Sequence, residues 1–241
     1  MALYFAQGRK TFACYIDPIG QTNFYSLSLP DSPSRRRINR TFFFKNNISR
    51  KESTIIKTVA DKKLVVGADF AGVALKDAVV AHLERHGWEV EDIGVKAGDP
   101  NPEMFHRIGF AVGAKISEGE YEKGIVFCGT GMGIHIAAGK CPGVQAACCE
   151  SLMAARRATT GNNCNILSMG GMYVAPQLGI EMADAFLNTK MGDDYEDIEG
   201  WCEFHQLAYD EIANFDYEEY KANGFKIKDA KYPKLGQFPR P

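Results

Sequence analysis

The sequence predicts an α/β fold: a five-stranded parallel sheet with helices on both faces, three layers in all, followed by a helical and extended C-terminal tail. Three observations predict it. Apolar strand-like runs and 3.6-period stripes alternate five times over about 130 residues, a pattern that parallel βα units produce. Turn residues fall where each strand hands over to a helix. The stretch Gly124–Lys140, G-I-V-F-C-G-T-G-M-G-I-H-I-A-A-G-K, runs from an apolar strand through a glycine turn into a helix.

Taken in order, Leu64–Ala68 reads as the first strand and ends at Asp69 and Gly72. Leu75, Ala78, Val79 and Leu83 then form one helical stripe, which Gly87 closes. Trp88–Ile93 alternates as a second strand. A polar loop over 96–102 leads to Pro102, placed to open a helix that runs to about Glu118. Lys123–Cys128 is the third strand, and a short helix follows the glycine turn. Gly143–Cys149 is a fourth strand of small residues. Ser151 suits the N-cap of a helix ending near Gly161. Asn165–Met169 is the fifth strand and Pro176–Leu187 the fifth helix. Right-handed crossovers place ligands beyond the carboxyl ends of such strands, where Asp69, Cys128, Glu150 and Gly170 fall.

The flanks differ from this core. Residues 1–60 hold ten Lys+Arg against three Asp+Glu, with a Pro/Ser-rich stretch at 26–34, Arg35, Arg36, Arg37 and Arg40, and then Phe42–Phe44. No sustained period of 2 or 3.6 is evident, so 1–61 reads as a flexible basic extension, with an organelle transit segment as its functional alternative. The domain proper is 62–191. The tail, 192–241, is acidic and aromatic; Ile198–Ala213 reads as one helix and the rest as extended. Its aromatic density implies that it packs on its own domain or a partner subunit, or closes over the site.

Composition excludes several classes. With 45% hydrophobic and 24% charged residues the chain is globular in type. No apolar run reaches the roughly 18 residues of a membrane span. The folded part is acidic, which argues against nucleic acid as a partner. Seven cysteines without a C-x-x-C pair argue against a secreted disulfide framework or a structural zinc site. They suit a reducing compartment, so the expected location is cytoplasmic, with organelle import through the basic extension as the alternative. G-T-G-M-G lies after the third strand and lacks the G-x-G-x-x-G spacing of a dinucleotide fingerprint.

Chemistry concentrates at the glycine turn. Gly129, Gly131 and Gly133 let the backbone turn tightly and approach a ligand, and the N–H groups of such a turn hold anions. Cys128 stands at its mouth. A thiolate there is favoured by the positive end of the following helix, which suits proton abstraction.

With Cys128-Gly129-Thr130-Gly131-Met132-Gly133, Ile136–Lys140 and Pro142-Gly143 behind it, the chain resembles the ribose-5-phosphate isomerase B family, which includes the galactose-6-phosphate isomerase subunits. Gly67–Gly72, Ala155-Arg156, Asn162-Asn163 and Met169–Gly171 also match, so the resemblance covers roughly residues 62–190 in the family's order. It implies a Rossmann-like domain that interconverts aldose and ketose phosphates through a cis-enediol(ate), with no cofactor and no metal. It implies Cys128 as the base and Thr130 as a hydroxyl assisting proton movement between the two oxygens. The backbone of Gly129, Gly131, Met132 and Gly133 is implied as the enediolate pocket. Asp69 is implied as a hydroxyl contact, with Phe70 beside it, and Asn162 as a contact near the reacting end. It implies a small phosphorylated sugar as ligand and a homodimer or homotetramer with shared sites.

The sequence also departs from the family. Gly161 stands where many members carry a histidine thought to open the sugar ring, and Phe70 where a second histidine often stands. The C-terminal arginines that usually bind phosphate are missing; the only arginine after Arg157 is Arg240. A four-carbon or open-chain substrate, needing no ring-opening acid, is therefore favoured. Phosphate binding then falls to Arg156, which the resemblance favours, to Arg157, Arg107, a tail lysine or a partner chain, or the substrate is not a phosphate; His135 and His106 are the candidates to replace a lost histidine. A non-catalytic sugar-phosphate or nucleotide-binding module on the same fold is the alternative.

Overall fold

The structure is a computed structural model and describes residues 2–7, 10–16, 22–28, 61–227 and 231–237. The chain divides into two units, Met1–Lys51 and Glu52–Pro241. In the first, β1 (Ala2–Gln7), β2 (Lys10–Ile16) and β3 (Thr22–Ser28) form an antiparallel sheet in the order β1-β2-β3. Ala2 lies opposite Tyr15, and Ile16 opposite Thr22. The sequence reading of 1–61 as a basic extension did not mark these strands. Aromatic and β-branched enrichment carries strand preference without clean alternation, and two residues, Gly8 and Arg9, separating the first strands are a hairpin signal. The Pro/Ser-rich end past Ser28, the arginine cluster and Phe42–Phe44 lie outside the described residues.

In the second unit, β4 (Lys63–Ala68), β5 (Glu89–Asp92), β6 (Gly124–Cys128), β7 (Ala146–Cys148) and β8 (Ile166–Gly170) form one parallel sheet. Its order is β5-β4-β6-β8-β7. The helices between them are α1 (Val73–Arg85), α2 (Phe105–Ser117), α3 (Met132–Ala138) and α4 (Leu152–Thr160), with α5 (Pro176–Leu187) after β8. Successive strand residues feed opposite faces. Leu64, Val66, Ile125, Phe127, Leu167 and Met169 join a core with residues of α1, α4 and α5. Val65, Val126, Cys128 and Ile166 join one with Ile108, Val112 and Ile134 of α2 and α3. Strands covered on both faces are buried throughout, and β6 and β8 have no exposed residue. Truncating Phe127, fully buried at the centre, to alanine costs about 3–5 kcal/mol.

Several ends differ from the sequence reading. The second strand is shorter than Trp88–Ile93. The fourth begins at Ala146 because Gly143 turns the chain at φ +76°. Helix α2 opens at Phe105, three residues after Pro102. Ser151 caps α4 as expected, its Oγ accepting from Ala154 N at 3.2 Å. In the tail, Gly200 at φ +77° delays α6 to Trp201–Ala213. The chain beyond it is not all extended. Asp216 caps a further helix, α7 (Tyr217–Ala222), by accepting from Glu219 N. Residues 231–237 return to the start of α6, where Trp201 Nε1 donates to Gly236 O at 2.9 Å.

Two buried lysines tie the layers. Lys76 of α1, with no exposed surface, donates to Asp92 at 2.6 Å and contacts Asp77 at 3.0 Å. Burial alone would raise the Asp92 carboxyl, but hydrogen bonds from Lys76, Lys96 and Gly94 N–H bring it below its ordinary range. Lys123 donates to Phe186 O (2.7 Å) and Thr189 O (3.3 Å), capping the carbonyl end of α5. Desolvation lowers its pKa to about 8.

Candidate active site

The strand order reverses direction between β4 and β6, whose successors lie on opposite sides, and a parallel sheet opens a crevice at such a point. Ala68 pairs with Phe127, and Asp69 N–H donates to Phe127 O at 3.2 Å, so Asp69 and Cys128 leave adjacent strands side by side. Asp69 Oδ1 accepts from Ala71 N (3.0 Å) and Gly72 N (3.1 Å), which holds the loop into α1. Burial pushes its carboxyl above the ordinary range, against those two bonds. Gly72 is needed by close approach: a Cβ there would lie 2.7 Å from the Phe127 backbone and 2.9 Å from Cys128 N.

Cys128 is buried, and its Sγ accepts the Gly131 N–H at 3.1 Å. Gly131 takes φ +75°, a conformation suited to glycine, and its Cβ would lie 2.9 Å from both Cys148 Sγ and Met169 C. Its carbonyl is pinned by buried Ser168 Oγ at 2.6 Å. Met132 N–H donates to Thr130 Oγ1 at 3.2 Å. Two of the loop's amides are thus already engaged, and those of Gly129 and Thr130 have no backbone partner among the described residues. The chain after β8 closes over the loop: Gly171 N–H donates to Cys128 O (2.8 Å) and Met172 N–H to Gly129 O (3.0 Å). The arrangement is a thiol beside a buried carboxyl, fronted by open amides, and it is suited to moving a proton on carbon beside a developing oxyanion.

Burial raises Cys141, Cys148 and Cys202, and pushes Cys149 up to about 12 and Cys164 up to about 11. Among the described residues no group of three His, Cys, Asp or Glu side chains converges as metal ligands.

The sequence-predicted residues fall into two sets. Asp69, Cys128, Thr130 and the 129–133 backbone come together. Phe70 is 63% exposed beside them, lining a cleft of about 360 Å³ with Lys96, Asp99 and Pro102. His106 sits between the rings of Phe105 and Phe110, and Phe105 packs against Gly133. His135, on α3 just after the loop, has its Nδ1 3.3 Å from Gly131 O, whereas Asn162 is elsewhere. Ile166 at the start of β8 pairs with Gly124, whereas Gly170 at its end pairs with Cys128. Gly161 and Asn162 therefore lie a strand's length from Cys128 in the same chain. Asn162 and His135 line an open groove of about 530 Å³ along edge strand β7, with Lys140, Ala147 and Ile212. Arg156 is not a free anion ligand, because its Nε and Nη2 engage Asp194 of the tail at 2.5–3.0 Å.

Sequence reasoning missed Ser168, Met172 and His205. Ser168 and Met172 flank Gly170, a strand end that topology already marked. His205 carried no such signal, since α6 lies outside the alternation. A Cβ on Gly161 would lie 3.3 Å from His205 Cε1 and 3.3 Å from the Tyr195 hydroxyl.

Topology and site thus define an α/β enzyme with a thiol and a glycine loop at the carboxyl end of its central strand. Comparison with known proteins gives the family: the Ribose/Galactose Isomerase pattern matches residues 64–199, and the chain belongs to that family of aldose–ketose isomerases. It is 43% identical over 136 residues to a 4-deoxy-4-sulfo-D-erythrose isomerase of Clostridium sp. (strain MSTE9), covering 56% of this chain and 84% of that protein. It is 31% identical over 127 residues to a D-erythrulose-4-phosphate isomerase of Pectobacterium atrosepticum, covering 53% and 83%. The ribose-5-phosphate isomerase B of Clostridium thermocellum superposes with TM-score 0.56 at 30% identity, covering 67% of this chain and 99% of that one. No helix among the described residues is long and apolar enough to cross a membrane.

Proposed function

We propose that this protein interconverts a four-carbon, open-chain aldose and ketose bearing a terminal anion, with Cys128 as the base. The observation that carries the reading is the Cys128 thiol, fixed by the Gly131 N–H beside Asp69 at the crevice between β4 and β6. Cys128 takes the proton from the carbon next to the carbonyl. The free amides of Gly129 and Thr130 hold the enediolate oxygen, Thr130 assists oxygen protonation, and Asp69 receives a substrate hydroxyl. Gly161 supplies no side chain for ring opening, which a sugar too short to close a ring does not need. The names of two relatives, a sulfo-erythrose isomerase and an erythrulose-4-phosphate isomerase, support four carbons. They leave the terminal anion as phosphate or sulfonate, in keeping with the missing arginines.

Asn162 is a strand's length from Cys128, so we assign it to the site of a second copy, whose surface meets the β7 groove. The free cysteines support a reducing, cytoplasmic setting. The test is proton NMR in deuterated water with erythrose 4-phosphate, its 4-sulfo analogue and ribose 5-phosphate. We expect loss of the signal of the proton beside the carbonyl with the four-carbon sugars and a fall of about 10³-fold in Cys128→Ala. Full exchange in that variant would remove Cys128 as the base.

A further inference from the structure

A hydroxyl is sealed beneath the glycine loop, and a line of hydrogen bonds starts from it. Successive residues of β8 face opposite ways. Leu167 and Met169 enter the core with α1, α4 and α5, and Ile166 enters the one with α2 and α3. Ser168 and Gly170 therefore share the face of Ile166. Gly170 lets the loop settle onto the strand, since a Cβ there would lie 2.7 Å from Thr130 C and 2.8 Å from Thr130 O. Ser168 has no exposed surface, and its Oγ donates to Gly131 O at 2.6 Å. A hydroxyl buried in an apolar layer costs free energy unless it is bonded, and alanine would fit the same space without that demand. The line continues from there. Gly131 O and Met132 N belong to one trans peptide, so the oxygen and the N–H point to opposite sides. With the oxygen held by Ser168, the N–H is aimed the other way, at Thr130 Oγ1, 3.2 Å distant. His135 Nδ1 lies against the same carbonyl at a longer 3.3 Å. Thr130 Oγ1 thus accepts from the backbone and keeps its own proton free to donate outward. The donors run head to tail from Ser168 through the peptide to Thr130, and each bond in such a line polarises the next.

We propose that Ser168 is a positioning residue for Thr130: through the Gly131–Met132 peptide it aims the threonine hydroxyl and strengthens the N–H that faces Oγ1. This rests on the isomerase reading, in which Thr130 assists movement of the hydroxyl proton. Once Cys128 has taken the carbon proton, Thr130 gives its hydroxyl proton to the former carbonyl oxygen and takes one from the hydroxyl on the neighbouring carbon. The electron pair left on carbon becomes the C=C bond of the enediol, and the old C=O pair binds the new oxygen proton. As the neighbouring C=O forms, Cys128 returns its proton to the old carbonyl carbon, so thiol and threonine end as they began. While its proton leaves, Oγ1 gains negative charge. The Met132 N–H is the donor already in place for that charge, and Ser168 at the far end of the same peptide makes it a better one. Ser168 itself touches no reacting atom. Its effect falls on the oxygen-proton step and not on removal of the carbon proton.

The experiment uses the full chain with erythrose 4-phosphate in deuterated water. It follows two signals, conversion to the ketose and deuterium uptake beside the carbonyl of unconverted substrate. Ser168→Ala should lower kcat for conversion about 10-fold with KM unchanged, which is what one hydrogen bond made in the transition state contributes. Deuterium uptake should hold, because Cys128 still exchanges the carbon proton, so the ratio of uptake to conversion rises about 10-fold. Ser168→Cys, close in size and with a weak S–H donor, should give the same split at smaller amplitude, and it carries the test if the alanine variant fails to fold. A merely structural serine would not couple to the threonine, so a double-mutant cycle separates the two roles. In a Thr130→Val background, Ser168→Ala should cost less than about 2-fold in conversion. Unchanged conversion in Ser168→Ala, equal falls in uptake and conversion, or a further loss of about 10-fold in the Thr130→Val background overturns the proposal. The second of these would place the action of Ser168 on Cys128, through the Gly131 N–H. A wild-type protein that neither converts nor exchanges the four-carbon sugars overturns the isomerase reading, and this one with it. An active wild-type protein with additive variants overturns this one alone.

Discussion

Substituting Gly131 by alanine separates two roles of one residue. At φ +75° an L-residue costs about 1–2 kcal/mol. The new Cβ would also lie 2.9 Å from Cys148 Sγ and Met169 C and 3.0 Å from Gly170 N, and the last two are backbone atoms that do not yield. The loop must move, and the Gly131 N–H moves with it, away from Cys128 Sγ. A hydrogen bond to a charged acceptor contributes about 1.5–3 kcal/mol, so kcat/KM should fall about 10- to 100-fold. Gly143 is the matched control. It has φ +76° with nothing within 4 Å of its would-be Cβ, so Gly143→Ala carries the backbone cost alone. Thermal unfolding and steady-state kinetics on both variants check this. Each should lose stability, Gly131→Ala the more, with Tm moving about 2–4 °C per kcal/mol for a domain of this size. Only Gly131→Ala should lose activity. Full activity in that variant, or equal activity loss in both, would refute the role given to the N–H···S bond.

The two buried lysines give further tests. The Lys123 pKa of about 8 in the folded chain lies below the unfolded value near 10.4, so the unfolded chain binds the extra proton between them. The Lys123 contribution to stability therefore rises with pH from about 8 to about 10.4, by up to ~3 kcal/mol. Cys149 and Cys164, with thiols raised to about 12 and about 11, act in the opposite direction over that range. The Lys123 effect is thus read as the difference between wild-type and Lys123→Met denaturation curves, and a pH-independent difference would contradict it. Asp92→Asn should cost about 3 kcal/mol in urea denaturation, because it leaves the fully buried Lys76 ammonium with only half-exposed Asp77 as a counter-charge. A change below 1 kcal/mol would show that Asp77 suffices.

What the sequence made legible follows from where information is local. The five strands of the domain and the convergence of Asp69 and Cys128 came from periodicity and from the rule that parallel strands present their carboxyl ends together. Ser151 as a cap is one-residue chemistry and holds, whereas Pro102 as a helix opener does not, since α2 begins three residues later at Phe105. Strand boundaries failed at Gly143, where a left-handed glycine outweighed an apolar run. The helix Tyr217–Ala222 was hidden because its start depends on one capping aspartate rather than on a stripe. The surroundings of Arg156 and Asn162 were hidden for a different reason. Motif order along the chain says nothing about which end of a strand a residue occupies, and Asp194, which engages Arg156, is 38 positions away. His205 was out of reach altogether, because its meaning comes from a contact with a residue that has no side chain.

The stacking of Tyr195 on Trp201, with ring centroids 6.0 Å apart, gives the tail a built-in optical label. The chain has two tryptophans, and Trp88 lies at the far end of the sheet, before β5. A Trp88→Phe protein would emit from Trp201 alone, a fluorophore in contact with His205 and tied to the chain's own end through Gly236. Quenching by a neighbouring imidazole depends on its protonation and its distance, so the emission of this one indole reports the packing of α6 and the state of its histidine without an added dye.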